Sequence, residues 1–124
     1  MKRRVLAVVL LCVATLYGCA LLSPPEVSGR WEGTATLKMT PDGPKPYEIV
    51  LVLAETSGEI TGTFRLVMYY EVVDVTGSLV GRHVEMTCWL LDTITLVGEV
   101  HGRTMTGTCT SHGVADTWEV TRVR

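Results

Sequence analysis

No proline occurs after Pro46, and the five prolines of the chain all lie in two clusters before that point. Because proline removes a ladder hydrogen bond and is excluded from central strands, its absence suits a long segment of β-sheet. Residues 29 onward also lack the 3.6-residue apolar spacing of an amphipathic helix. No catalytic or cofactor motif is present, so the sequence predicts a protein that is not an enzyme and holds no cofactor or metal.

Basic residues are too few to form a nucleic-acid surface. The chain has 11 Lys and Arg against 13 Asp and Glu. Without Lys2, Arg3 and Arg4 the balance is eight basic against 13 acidic side chains, a formal charge of about −5. Nucleic-acid binding normally needs a basic stripe, so we exclude that class of partner.

The N-terminus has the three parts of a bacterial export signal. Basic residues at positions 2–4 precede a short apolar run over Val5–Leu16, and Leu16-Tyr17-Gly18-Cys19 closes it. This tetrapeptide resembles the lipobox of bacterial lipoproteins, with Cys19 as the lipidated residue that carries acyl chains such as palmitate. Two other readings stay open: a transmembrane anchor over Val5–Leu22, and a secretory signal that leaves Cys19 as a free thiol.

The lipobox resemblance implies a protein held in the bacterial cell envelope by its N-terminal lipid. Ala20 is not the aspartate that retains enterobacterial lipoproteins at the inner membrane, so the resemblance favours the outer membrane, facing the periplasm. The predicted organisation is a signal peptide at 1–18, a lipidated tether at 19–28 and one domain at 29–124. The tether contains Ser23-Pro24-Pro25-Glu26, which favours extended geometry.

From Gly29 onward apolar and polar residues alternate with period two, as in strands with one buried face. Turn signals at Thr56-Ser57-Gly58, Val80-Gly81, His101-Gly102 and Ser111-His112-Gly113 separate the runs. The strand that follows the first of these turns is expected to continue as far as Met68, with Met68 as its last inward-facing residue. The pattern predicts an all-β domain, a single small antiparallel up-and-down β-barrel of about eight strands.

An internal repeat supports closure of that sheet. Val75–Arg82 aligns with Leu96–Arg103 at an offset of 21 residues, which also carries Cys88 onto Cys109. Each unit is a hairpin with a glycine on its inward face, as tightly curved sheets require. Closing eight short strands into a barrel removes exposed sheet edges.

The domain resembles the lipocalin-like (calycin) barrels. Gly29-Arg30-Trp31 matches their Gly-x-Trp signature at the start of the first strand, and Arg122 stands where they place an arginine near the end of the last strand. The resemblance implies that Arg122 packs on Trp31 as a cation–π pair at one end of the barrel. The domain is shorter than ordinary lipocalins, and their C-terminal helix is missing.

Two functions remain open for such a barrel. In the first, a small apolar ligand occupies a lumen lined by apolar side chains: Leu51, Phe64, Met86, Leu96, Met105 and Trp118. In the second, the core is filled, as is usual for eight-stranded barrels, and the protein is an envelope interaction or protease-inhibitor-like module. A predicted outward apolar strip would then contact the partner protein: Val50, Val52, Val67, Val72, Trp89, Leu91 and Val97.

Cys88 and Cys109 have two readings. An oxidising compartment favours a disulfide between them. A strict meander places one strand between the two, however, which separates their Cα atoms by about 9 to 10 Å and favours two buried thiols. The three histidines lack zinc-ligand spacing, and Ser111, His112 and Asp116 are predicted to form a turn rather than a catalytic triad.

Overall fold

The computed structural model describes residues 26–69 and 71–124, and shows a closed barrel of eight antiparallel strands. Each strand pairs with its neighbours in sequence, and the last strand pairs with the first. The predicted up-and-down barrel is therefore confirmed. The strands are β1 (Gly29–Leu37), β2 (Lys45–Thr56), β3 (Glu59–Leu66), β4 (Glu71–Val80), β5 (His83–Leu90), β6 (Asp92–His101), β7 (Thr104–Ser111) and β8 (Val114–Arg122).

The period-two pattern accounts for the burial of these strands. In β5, for example, Val84, Met86, Cys88 and Leu90 are buried while the residues between them are exposed. All eight strands contribute buried apolar side chains to one cluster inside the barrel. Each strand thus contributes one face to the core and one to solvent, as the alternation of side chains along a strand requires.

One end of the barrel is tightly closed, and we call it the closed end. It comprises the start of β1, the end of β8 and three two-residue turns, at 57–58, 81–82 and 102–103. Gly58, Gly81 and Gly102 all have positive φ angles there, which two-residue hairpin turns need. The last two turns lie one residue later than the sequence indicated, because Val80 and His101 are still paired in their strands.

The opposite end, which we call the open end, carries the two longest connections and two short ones. They are the 38–44 loop, the loop that follows Leu66, the single residue Leu91 and the turn His112–Gly113. Met68 is in the second of these loops and is 73% exposed, so the expectation that it faces inward is wrong. The β3 strand ends two residues earlier than its pattern suggested.

The predicted signal, the lipobox and Cys19 lie outside the described residues. Among the residues that the structure does describe, no helix is long and apolar enough to cross a membrane. Three described residues, 26–28, precede β1 and lead into the closed end.

Candidate functional site

The residues predicted to line a ligand-binding lumen form the centre of the core. Leu51, Phe64, Leu96 and Met105 have no exposed surface, and Met86 and Trp118 keep at most 2%. No space large enough for a water molecule therefore adjoins the first four side chains. The Trp118 indole N–H donates to the Val97 carbonyl at 3.2 Å. The barrel is filled with its own side chains, as its strand number favours.

Trp31 and Arg122 meet at the closed end. Trp31 is fully buried, and its indole N–H donates to the Val27 carbonyl at 2.9 Å. The Arg122 guanidinium carbon lies 4.8 Å from the centre of the Trp31 ring, within the range of a cation–π contact. The same guanidinium donates a hydrogen bond to the Glu26 carbonyl.

The segment before β1 completes the closure of this end. Val27 is fully buried, and the Ser28 hydroxyl accepts a hydrogen bond from the Glu55 backbone N–H at 2.9 Å. On the other side, the Arg103 guanidinium donates to the Arg122 carbonyl at 2.7 Å. Residues 26–28 therefore cross the closed end and are bound to both β2 and β8.

Glycines on the barrel wall allow neighbouring strands to approach, and they do not create space inside. A Cβ on Gly107 would lie 1.9 Å from the Val97 carbonyl oxygen, and one on Gly33 would lie 1.9 Å from that of Glu119. Gly62, Gly77 and Gly98 show the same obstruction, at 2.0 to 2.1 Å from a backbone oxygen. These glycines permit the strong local bending that a small barrel needs.

Cys88 and Cys109 are both free and buried, so of the two readings the structure supports two buried thiols and contradicts the disulfide. The reason lies in the register: β6 separates the two strands, with Cys88 opposite Ile94 and Cys109 opposite Leu96. The cysteines are thus two strands apart and also offset along the barrel. Burial raises the pKa of the Cys88 thiol to about 12. The pKa of Cys109 is raised by burial and by the Asp116 carboxylate.

Cys109 and Ser111 lie where two neighbouring strands, β1 and β8, stop pairing with each other. The β1–β8 pairing stops at Ala35 and Trp118, although both strands continue toward the open end. The Cys109 Sγ lies 3.1 Å from the Thr36 carbonyl oxygen of β1 and 3.4 Å from that of Thr117 in β8.

Ser111, which is almost fully buried, accepts a hydrogen bond from the Lys38 N–H at 2.9 Å. Side chains of β7 therefore supply hydrogen bonds at the level where the β1–β8 ladder ends.

A second pair of strands parts on the opposite side of the barrel. The β4–β5 pairing stops at Val75 and Cys88, but β4 continues to Glu71 and β5 to Leu90. We call the unpaired stretches, Glu71–Asp74 and Trp89–Leu90, the β4–β5 gap. Their other edges are paired with β3 and β6. At the open end the barrel is thus divided into two four-stranded halves.

Exposed apolar side chains gather at this gap. Val72 is 56% exposed, Trp89 is 67% exposed and Leu91 is 71% exposed. Leu91 has a φ of +63°, a left-handed conformation that is unusual for a leucine. Tyr69 packs on Tyr47 with ring centroids 6.0 Å apart, and burial together with Tyr69 raises the pKa of Tyr47.

Two grooves adjoin the gap. One, of about 340 Å³, opens at the barrel mouth and is lined mainly by apolar side chains: Met39, Thr40, Leu66, Tyr69, Glu71, Leu90 and Leu91. The other, of about 300 Å³, lies on the outer wall between β4 and β5 and is lined by Asp74, Thr76, Thr87, Cys88, Trp89 and Thr93. The gap therefore has an apolar groove toward the core and a more polar groove toward solvent.

The predicted outward apolar strip is only partly present. Val50 is buried, because it shares a groove on the outer wall with the long side chain of Arg65, its partner in the register. Val67 and Val97 are half-buried. Val52 is 46% exposed on β2, whereas the most exposed members of the predicted strip, Val72, Trp89 and Leu91, all lie at or beside the β4–β5 gap. The exposed members therefore do not form one strip along the barrel.

The polar residues considered for catalysis do not form a triad. Ser111 bonds Lys38, while the His112 ring lies 3.5 Å from Asp92 and the Asp116 carboxylate accepts from Thr117 N–H. His83 and His101 pair with Glu85 and Glu99 on the barrel surface, at 3.1 and 3.0 Å. Within residues 26–69 and 71–124, no three His, Cys, Asp or Glu side chains are grouped as metal ligands.

Fold and site together define a closed, filled eight-stranded barrel with one capped end and one divided end. No family model, curated protein or solved structure matches the chain. The inference of function therefore depends on the chain's own residues.

Proposed function

We propose that this protein is a lipoprotein of the bacterial cell envelope whose barrel is a non-catalytic module for binding another protein. The lipid on Cys19 anchors it, most simply in the outer membrane with the barrel in the periplasm. The observation that carries the proposal is the contrast between a filled interior and an apolar surface collected at the open end.

Orientation supports this reading. The tether enters at the closed end, where residues 26–28 cross the barrel. The open end is then the part of the domain farthest from the lipid. Exposed Met68, Tyr69, Trp89 and Leu91 are displayed there, and aromatic residues and methionine are enriched in protein interfaces.

The filled core argues against the ligand-binding alternative. An apolar ligand inside the barrel needs a cavity of a few hundred Å³, whereas the central side chains are packed against one another. Titration of the purified full chain in detergent with N-phenyl-1-naphthylamine, a neutral apolar dye, tests this. We expect no saturable fluorescence increase beyond that of detergent alone.

Cavity variants provide the positive control for that titration. Phe64→Ala and, as a second variant, Met105→Ala remove buried volume, and engineered apolar cavities in proteins bind small apolar molecules. A folded variant of this kind should bind the dye when the natural protein does not. Saturable binding by the natural protein would instead support the lumenal ligand and contradict a filled module.

The interaction itself is tested by site-specific cross-linking in living cells. A photoreactive phenylalanine derivative replaces Leu91 at the open end or, as the matched control, exposed Arg82 in a turn at the closed end. We expect discrete protein adducts from position 91 and none from position 82. No adduct from position 91, or the same adducts from both positions, would contradict a docking surface at the open end.

The anchor is tested separately, because Cys19 lies outside the described residues. Cys19→Ser should abolish incorporation of radiolabelled palmitate and leave the protein unprocessed or soluble. Palmitate labelling that persists in this variant would show that another residue or mechanism holds the protein.

A further inference from the structure

We infer that the β4–β5 gap binds an extended segment of the partner protein, which adds to the barrel wall as a strand. The inference rests on the proposed function and specifies the partner's chemistry: an extended peptide with apolar side chains alternating with basic ones.

The backbone of the gap supplies the first argument. In an antiparallel ladder, alternate residues direct their N–H and C=O groups to alternate neighbours. Since Glu71–Asp74 are paired with β3 on one edge only, two of these four residues direct N–H and C=O groups into the gap. An incoming extended backbone satisfies such groups, as in other cases of strand addition.

The two gaps differ in a way that singles out this one. The first is the β1–β8 gap, which begins where the pairing of these strands stops at Ala35 and Trp118. There the Cys109 thiol bonds to the Thr36 carbonyl, and the Ser111 hydroxyl accepts from the Lys38 N–H. The β4–β5 gap has inward Leu90 and Val73 at the corresponding level, and neither side chain carries a hydrogen-bonding group. Side chains of the barrel itself therefore complete one gap, and the other is left for an external strand.

The two faces of the gap fix the side-chain pattern. Successive residues of an added strand point alternately inward and outward. Inward side chains would enter the mouth groove beside Leu66, Leu90 and Met39, which favours apolar residues. Outward side chains would lie between Val72 and Trp89.

Charge complements the outward face. Exposed Asp74 lines the outer groove, whereas Glu71 lines the mouth groove at the start of the unpaired edge. A basic side chain, above all arginine, pairs with a carboxylate and stacks on the Trp89 indole. The expected segment is therefore extended and alternates apolar with basic residues over about four to seven positions.

The probe is a fluorescein-labelled heptapeptide in which arginine and valine alternate. It is titrated against the full-length lipidated protein in a neutral detergent, with fluorescence anisotropy as the readout. We expect saturable binding. A peptide of the same composition with its valines contiguous, and an alternating peptide N-methylated at every second amide, should each bind at least tenfold more weakly.

Protein variants locate the site. Trp89→Ser and Asp74→Asn are surface changes that should weaken binding of the alternating peptide at least fivefold and leave the unfolding midpoint unchanged. The matched control is Val80→Ser, because Val80 is 73% exposed at the closed-end limit of the same strand pair. This control should bind the peptide as the natural protein does.

The results separate the inference from the proposed function. Absence of saturable binding, or equal binding of the alternating and N-methylated peptides, overturns strand addition. If Leu91 cross-links persist in that case, the proposed interaction module stands with a different mode of contact. Loss of a dimer in Trp89→Ser by light scattering would identify a second copy of this chain as the occupant and would overturn a foreign peptide.

Discussion

The two ends of this barrel are built differently, although the same eight strands run through both. At the closed end, Trp31, Arg122 and Val27 fill the opening, and tight turns with left-handed glycines join the strands. At the open end, the ladder stops early at two places, and a leucine takes up a left-handed turn. The close packing thus lies at the end where residues 26–28 enter the barrel, and the proposed docking surface lies at the other end.

The strongest test of this contrast replaces one tryptophan at each end. Trp31→Ala should cost about 3 to 5 kcal/mol of unfolding free energy, because it removes a fully buried indole. Trp89→Ala should change stability by less than about 0.5 kcal/mol, because that side chain is mostly exposed. Urea denaturation of both variants measures the two effects. Similar losses would show that the ends do not differ as described.

The wall glycines give the next largest effect. Gly107→Ala should destabilise the barrel by about 1 to 3 kcal/mol, since its Cβ would overlap the Val97 carbonyl and force two strands apart. Gly81→Ala is the control: it meets no atom within 4 Å but has a φ of +61°. Its cost is the local strain alone, about 1 kcal/mol. Unchanged stability of Gly107→Ala would show that β6 and β7 are not packed as closely at this position as described.

The side-chain bridge across the β1–β8 gap predicts a smaller change. Ser111→Ala leaves the Lys38 N–H without its acceptor and should cost about 1 to 2 kcal/mol. Thr110→Ala, on the exposed face of the same strand, should be close to neutral. The midpoints of thermal unfolding of the two variants measure this difference. Equal midpoints would show that the hydrogen bond from Lys38 to Ser111 does not stabilise the barrel.

The last prediction concerns pH. The Cys88 thiol has a pKa of about 12 in the folded protein, against an ordinary value of 9.0. Between these two values the unfolded chain releases the proton and the folded chain keeps it, so folding stability falls as pH rises above 9. Cys88→Ala should therefore lose less stability than the natural protein between pH 8 and pH 10.5. Parallel pH curves for the two proteins would contradict the buried thiol.

The fold follows closely from the sequence, because a period-two pattern can be read residue by residue. The absence of proline after Pro46 and the repeated hairpins specify the meander and its closure. The pairing of Trp31 with Arg122 could be predicted from the resemblance of Gly29-Arg30-Trp31 to the Gly-x-Trp signature and from the arginine near the end of the last strand. The structure then adds their mutual geometry.

The candidate site was harder to predict, because it depends on where pairing stops. Val75 and Cys88 are ordinary inward residues of their strands, and nothing in either residue itself marks the end of a ladder. An oxidising compartment favours a disulfide between Cys88 and Cys109. The register of β5, β6 and β7 decides, however, whether the two cysteines lie close enough to bond. The one available signal was the run Trp89-Leu90-Leu91, in which an apolar residue stands at outward positions on both sides of an inward one.

Native-state hydrogen exchange, resolved by residue with NMR, tests the central contrast most directly. Amides of the paired stretch Val75–Val80 and of β1 near Trp31 should exchange only on global unfolding. Amides of Glu71–Asp74 that face the gap should exchange orders of magnitude faster and should slow when the alternating peptide is bound. Uniform protection along β4 and β5, from the closed end to the open end, would contradict the account.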